Sequence, residues 1–327
     1  MSNHIKNIAI VGGGGQIGTW IVSALLSKGT FNITTLQREG SPNKPAEGVH
    51  ITQISYDDPS TIVEALKGQD VLIVSMSVHA PPDQPTKLIE AAAKAGVPWI
   101  VPDEFGAGQD NEQLMKDTLI GVKKDAERKL IEKLGVSSWL SITCGFWYEY
   151  SLSGPGLYGI DIAKKEVVFF DDGRQRLNTS TWPQVGRAAA NLLSLPIEPE
   201  DGKSVALSSY RNKHVHISSF TVNQHEMFDS VKRVTGTTDA DWKISSVPAK
   251  QRFAEAQKKM SEGDRSAFAY LLYSRMFFPG EDACLYEARY ELDNEKLGLP
   301  KEDIDEFTKK AVKMSEENYF GKLFGTA

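Results

Sequence analysis

Gly12, Gly13, Gly14, Gly15, Gln16, Ile17 and Gly18 form a glycine-rich turn with chemistry of its own. An apolar run (Ile8, Ala9, Ile10, Val11) precedes it, and apolar residues at helical spacing follow: Ile17, Trp20, Ile21, Ala24, Leu25. Such a turn between strand and helix reads as GxGxxG (Gly13, Gly15, Gly18) or as GxxGxxG (Gly12, Gly15, Gly18). In either reading one glycine permits the tight turn and another lets backbone approach a pyrophosphate. Gly18 then lets the helix sit close on the strand. Backbone N–H groups at the helix start, aided by the helix dipole, hold the anionic phosphates. This turn predicts a bound dinucleotide; the plainer alternative is a strand–turn–helix of structural use only.

A second charged feature qualifies the first. Asn32–Gln37 reads as a strand that ends in Arg38, where an NAD site often has an acidic residue for the ribose 2′-hydroxyl. A guanidinium there pairs with a 2′-phosphate instead, with Lys44 within reach. The reading is NADP(H), against a solvated charge at a strand end. Asp70–Met76 is a buried-type apolar strand whose end, Ser75 onward, falls at the carboxyl edge of the sheet, where open α/β folds bind ligands.

The elements that must position these residues alternate strand and helix through the first hundred residues. Val49–Ile54 is a third strand, a helix runs through Val63 and Leu66, another spans Thr86–Ala95, and Trp99–Val101 is a fifth strand. That order predicts an α/β fold with a doubly wound parallel sheet. The length, 327 residues, suits one large domain and a smaller one. A net charge of −6 and the lack of a polybasic run argue against nucleic acid as a partner. No apolar stretch approaches a membrane span. Two cysteines, Cys144 and Cys284, make a disulfide framework unexpected. With a strand starting so near residue 1, no signal peptide is expected, and the cytoplasm is the expected location.

Pro102-Asp103-Glu104-Phe105-Gly106 follows the fifth strand, and a charged helix, Thr118–Leu134, opens near Val122-Lys123. With the glycine turn and Arg38, these residues resemble the isoflavone-reductase-like (NmrA-like) family of atypical short-chain dehydrogenases. The resemblance implies a Rossmann NAD(P)-binding domain over 1–150, with later returns near 181–210, and a smaller, mostly helical substrate-binding region over 151–327. It implies that Phe105 contributes to the cofactor and substrate pocket. It also implies a catalytic lysine on the charged helix that faces the cofactor. Lys123 gives the best match to the family's V-K-x-x-V setting, with Val122, Ala126, Leu130 and Ile131 as the apolar face. Alignment from the helix end selects Lys124. Short-chain dehydrogenases usually use Tyr-x-x-x-Lys, and none of the ten tyrosines here has a lysine four residues on. A lysine in the cleft would supply the acid/base group, its pKa lowered by burial and a cationic cofactor ring.

Trp139–Thr143 is a sixth strand, and Cys144 after it reads as a small buried residue. Phe146, Trp147 and Tyr148 then suggest an apolar substrate wall, the alternative being core packing between domains. Further on, Glu166–Phe170 and Gln175–Ser180 flank Asp171-Asp172-Gly173-Arg174, which reads as a hairpin. Thr181–Leu195 reads as a helix, Val205–Ser209 as a late strand, and Thr221-x-x-Gln224 as a capping box for a helix closed by Gly236. Helical stretches follow from Val247-Pro248, over Arg265–Phe277 and over Lys301–Met314. His214-x-His216 lacks a third ligand in sequence, so no metal is expected.

The expectation is an NADPH-dependent reductase of a conjugated C=C or carbonyl on an aromatic small molecule, a monomer or homodimer. The rival is a dinucleotide-binding regulator without catalysis; by the resemblance, such regulators lack the helix lysine that this chain keeps. Arg38→Ala is expected to weaken NADPH by about tenfold or more while leaving NADH nearly unchanged. Equal weakening of both, measured by fluorescence titration, refutes the 2′-phosphate assignment.

Overall fold

The computed structural model describes residues 2–41, 43–77, 80–107, 112–118 and 120–324. Its first strands are β1 (Asn7–Val11), β2 (Asn32–Arg38), β3 (His50–Ile54), β4 (Val71–Val74), β5 (Trp99–Val101) and β6 (Ser138–Thr143). Between them run α1 (Gln16–Lys28), α2 (Pro59–Leu66), α3 (Gln84–Ala95), α4 (Glu112–Thr118) and α5 (Ile120–Leu134). After β6 the chain forms β7 (Phe146–Trp147), α6 (Tyr148–Ser153), β8 (Ile160–Asp161), β9 (Glu166–Phe170), β10 (Leu177–Ser180) and α7 (Trp182–Leu193). It then returns to the main sheet as β11 (Lys213–His216). The remainder is β12 (Phe220–Val222), α8 (Gln224–Thr235), β13 (Lys243–Val247), α9 (Ala249–Ser261), α10 (Phe268–Met276), α11 (Ile304–Glu316) and α12 (Tyr319–Phe324).

The main sheet has seven strands in the order β11-β6-β5-β4-β1-β2-β3, and every pairing is parallel. Strand periodicity divides its side chains between two cores. Ile8, Ile10, Val71 and Ile73 meet α1 and α7 on one face, whereas Ala9, Val11, Leu72 and Val74 meet α2, α3 and α5 on the other. A parallel sheet covered on both faces reads as continuous apolar runs, as β1 and β4 do. The doubly wound expectation therefore holds. A third core gathers residues from β7–β10, β12 and helices α6, α8, α10 and α11. No helix among the described residues is long and apolar enough to cross a membrane.

Several local readings are corrected. Glu166–Phe170 and Leu177–Ser180 do not form a hairpin: β9 pairs with β8 and β13, and β10 with β7 and β12. The turn chemistry was real, since Asp171 and Gly173 both have positive φ, but the strands leave it for different sheets. The late strand is β11, not Val205–Ser209, of which Leu207–Ser209 belongs to a short 3-10 turn, Leu207–Tyr210. The capping box is Asn223 with Glu226, and Thr221 lies in β12. The helix expected over Thr118–Leu134 is present as α5, Ile120–Leu134.

α7 packs along α1 because Gly186 lets their backbones meet: a Cβ there would lie 2.4 Å from the Trp20 carbonyl oxygen. Gly186→Ala is therefore expected to cost about 1–3 kcal/mol of stability. At Gly106, where a Cβ meets nothing within 4 Å, alanine should be near neutral. Urea denaturation compares the two, and equal losses would contradict the close-packing account.

Candidate active site

The glycine turn is built by backbone contact. Gly12 has φ +80°, and a Cβ there would lie 1.7 Å from the Ser75 carbonyl oxygen, at the end of β4. A Cβ on Gly18 would lie 2.0 Å from the Gly12 carbonyl oxygen, so α1 starts directly on the turn. Gly15 occupies the N-cap of α1 without a side-chain cap, and the first turn has no acidic residue. The first N–H groups of a 13-residue helix therefore lack a side-chain partner. The cradle fits an anionic pyrophosphate, with Gly13, Gly14, Gln16 and Ile17 around it. On one side, Asn43 and Lys44 lie over Gly14, 3.0 and 3.3 Å from where its Cβ would be, and Gln37 Nε2 donates to the Asn43 carbonyl at 2.8 Å. Arg38 ends the adjacent strand, exposed, beside Tyr56. The positions expected to hold pyrophosphate and 2′-phosphate thus share one sheet edge.

On α5 the two adjacent lysines differ. The Lys123 side chain is 43% exposed and comes no nearer than 4.0 Å to Glu127. Lys124 is 11% exposed, 3.3 Å from Asp103 Oδ2 and 3.6 Å from Glu127 Oε2. This corrects the expected apolar face: Val122 is 56% exposed, and the inward stripe is Gly121, Lys124, Glu127, Arg128 and Ile131. Charge occupies that stripe because the Pro102–Gly106 loop supplies counter-charges: Asp103 meets Lys124, and Glu104 is held by Arg128 Nη1 at 2.7 Å to both oxygens. Burial pulls the Lys124 ammonium down, but Asp103 and Glu127 outweigh it and leave the group above the ordinary lysine range. Asp103 and Glu127 are both raised, by burial. The expected lowering of a lysine pKa is not found at Lys124, which stands as a charged donor.

The proposed aromatic wall is also revised. Phe146 is buried, stacked on Tyr273 at 3.9 Å, and Tyr148 is buried with its hydroxyl 2.7 Å from Thr308 Oγ1. Both are core residues, because their side chains point into the third core. Trp147 points the other way; its indole N–H donates to the Phe105 carbonyl at 2.9 Å. Phe105 itself is buried under its loop. Trp147 joins Tyr150, Trp182 and Tyr319 in a ring cluster with centroids 5.8–6.3 Å apart. Tyr319 closes the circuit by accepting a 2.7 Å hydrogen bond from Gln16 Nε2. Trp182 and Tyr319 escaped sequence reasoning since nothing local marks a contact across 303 residues. Cys144 is buried and its thiol pKa is pushed up by burial, which leaves it inert.

A doubly wound parallel sheet with an uncapped glycine turn at its carboxyl edge is the arrangement on which dinucleotide-binding α/β folds hold their ligand. Residues 4–156 match the profile of the NmrA-like family. It is 29% identical over 311 residues to oxidoreductase aprR of Aspergillus flavus, covering 91% of this chain and 96% of that one. Among solved structures, an isoflavone reductase superposes with a TM-score of 0.72 at 22% identity, over 95% of this chain and 99% of the other. AtPrR2 with NADP+ and (+)-pinoresinol superposes with a TM-score of 0.72 at 21% identity, over 94% and 99%.

Beside the aromatic cluster, Glu149 is buried, with Oε1 accepting the Trp182 backbone N–H at 3.0 Å. Burial raises its pKa to about 7. The folded state therefore holds a proton that the unfolded chain has released, and stability falls as pH rises from the ordinary carboxylate range through 7. Glu149→Gln should remove this loss, gaining roughly 1–3 kcal/mol over the natural chain at pH 8 relative to pH 5. Urea denaturation at the two pH values checks it, and parallel changes in both proteins would refute it.

Proposed function

We propose that this chain is an NADP(H)-dependent oxidoreductase that reduces a conjugated C=C or a carbonyl of an aromatic small molecule. The observation that carries the reading is Lys124: a charged ammonium held by two carboxylates, on the helix beside the Pro102–Gly106 loop. The cradle at Gly12–Gly18 suits a dinucleotide, and the A. flavus relative, named an oxidoreductase, and AtPrR2, solved with NADP+, support that ligand. When bound, NADPH supplies the hydride.

The chain's own residues do the rest. Backbone N–H groups of Gly13, Gly14, Gln16 and Ile17 hold the pyrophosphate, and Arg38, with Lys44, holds the 2′-phosphate. Trp147, Tyr150, Trp182 and Tyr319 offer flat apolar faces to an aromatic acceptor. Phe105 lies beneath, fixing Trp147 through its carbonyl. Lys124 Nζ donates to the acceptor oxygen and neutralises the charge that grows there during reduction. A charged ammonium serves this role as an acid, so Asp103 and Glu127 help by keeping it protonated.

NADPH oxidation against a panel of aromatic enones and aldehydes tests the proposal. Lys124→Ala should lower kcat by about 100-fold or more with NADPH affinity retained, and Lys123→Ala should leave it within about threefold. Full activity in Lys124→Ala, or its loss in Lys123→Ala, overturns the lysine assignment. Tight NADPH binding with no turnover on any panel member counts against the enzyme reading.

A further inference from the structure

α12 (Tyr319–Phe324) touches both sides of the proposed cleft. Its Tyr319 ring packs against the main-sheet core, and its Phe320 ring against the third core. The Tyr319 ring centroid lies 6.3 Å from those of Tyr150 and Trp182, and that of Phe320 lies 4.7 Å from Tyr150. Gly154, just after α6, makes room for this seat: a Cβ there would lie 2.8 Å from Phe320 Cζ. From Lys322 onward α12 is exposed.

Little else fastens α12. Its first turn is closed locally, where the Asn318 carbonyl accepts from the Lys322 N–H at 3.0 Å and Asn318 Oδ1 from the Gly321 N–H at 3.2 Å. Among the described residues, one hydrogen bond joins α12 to an element distant in sequence, from Gln16 Nε2 to the Tyr319 hydroxyl at 2.7 Å. An element with so few attachments opens at low free energy, and one hydrogen bond is then a large share of what keeps it seated.

Gln16 is the first residue of α1, where the helix start has no side-chain cap. Its backbone N–H is one of the donors offered to a pyrophosphate, while its side chain reaches α12. A pyrophosphate on the turn fixes the backbone of Gln16 and so holds the base of that side chain. Tyr319 then meets the amide in one position, and the wall it forms with Trp147, Tyr150 and Trp182 is set. The ordering cost of α12 is met when the dinucleotide binds, before an acceptor arrives.

We propose, on the NADP(H) reading above, that Gln16 and Tyr319 are positioning residues that couple the two sides of the cleft. A dinucleotide on the glycine turn holds α12 closed against the aromatic wall, so the dinucleotide binds first and the aromatic acceptor binds more tightly after it. Linkage is reciprocal, and an acceptor on the wall tightens the dinucleotide by the same factor.

Amide hydrogen exchange of the full chain tests this, read by mass spectrometry on the peptide containing Tyr319–Phe324, with and without saturating NADP+. In the natural chain NADP+ is expected to slow exchange there by about fivefold or more. Tyr319→Phe keeps the ring and Gln16→Met keeps an unbranched side chain, yet each removes the hydrogen bond. Both variants are expected to bind NADP+ with the slowing lost. If the variants exchange faster but NADP+ slows them as much as the natural chain, the contact is packing alone and the proposal falls. Calorimetric titration separates the two ideas. No NADP+ binding to the natural chain overturns the cofactor reading and the coupling together, whereas binding without slowing overturns the coupling alone.

Discussion

The arrangement of the whole cleft depends on one steric constraint: at Gly12 there is no room for a side chain. The Ser75 carbonyl sits where a methyl group would be, and the Gly12 carbonyl in turn sits where a Cβ of Gly18 would be. These two contacts fix the end of β4 against the turn and the turn against α1. The uncapped helix start is thereby delivered to the sheet edge, between β2 with Arg38 and β5 with the Pro102–Gly106 loop. The proposed pyrophosphate contacts inherit their position from that junction.

The second organising feature is buried charge. Lys124 with Asp103 and Glu127, and Arg128 with Glu104, fasten the loop after β5 to α5. Buried pairs are seldom a net source of stability, yet losing one partner costs about 3–5 kcal/mol because the other is left uncompensated. Such pairs hold a loop in one register. Here the register brings the Phe105 carbonyl to the Trp147 indole N–H and Asp103 to Lys124.

Much of this was legible in the sequence, and the failures share a cause. The glycine turn and the β-strands of the first half follow from local spacing, which is why the parallel sheet and its edge were readable. On α5 the apolar spacing of Val122, Ala126, Leu130 and Ile131 does not mark the inward face, because that face is largely charged and satisfied by a loop distant in sequence. Asp171–Arg174 has hairpin chemistry, but β9 pairs with β13, whose residues lie 77 positions on. Tyr319 reaches Gln16 from the other end of the chain. Contacts of long sequence separation leave no local trace, and the aromatic side of the cleft is built almost wholly from them.

The late return of β11 has a consequence for the chain as it is made. β6 is complete at Thr143, but the strand that covers its outer edge ends at His216. At synthesis rates of roughly 5–20 residues per second, that edge stands open for several seconds. Its sequence, SWLSIT, has the β-branched and aromatic character that invites pairing with a neighbouring chain. The nascent protein is thus exposed to misassembly in the interval between its sixth and its last main-sheet strand, when six strands of that sheet are written but its border is not.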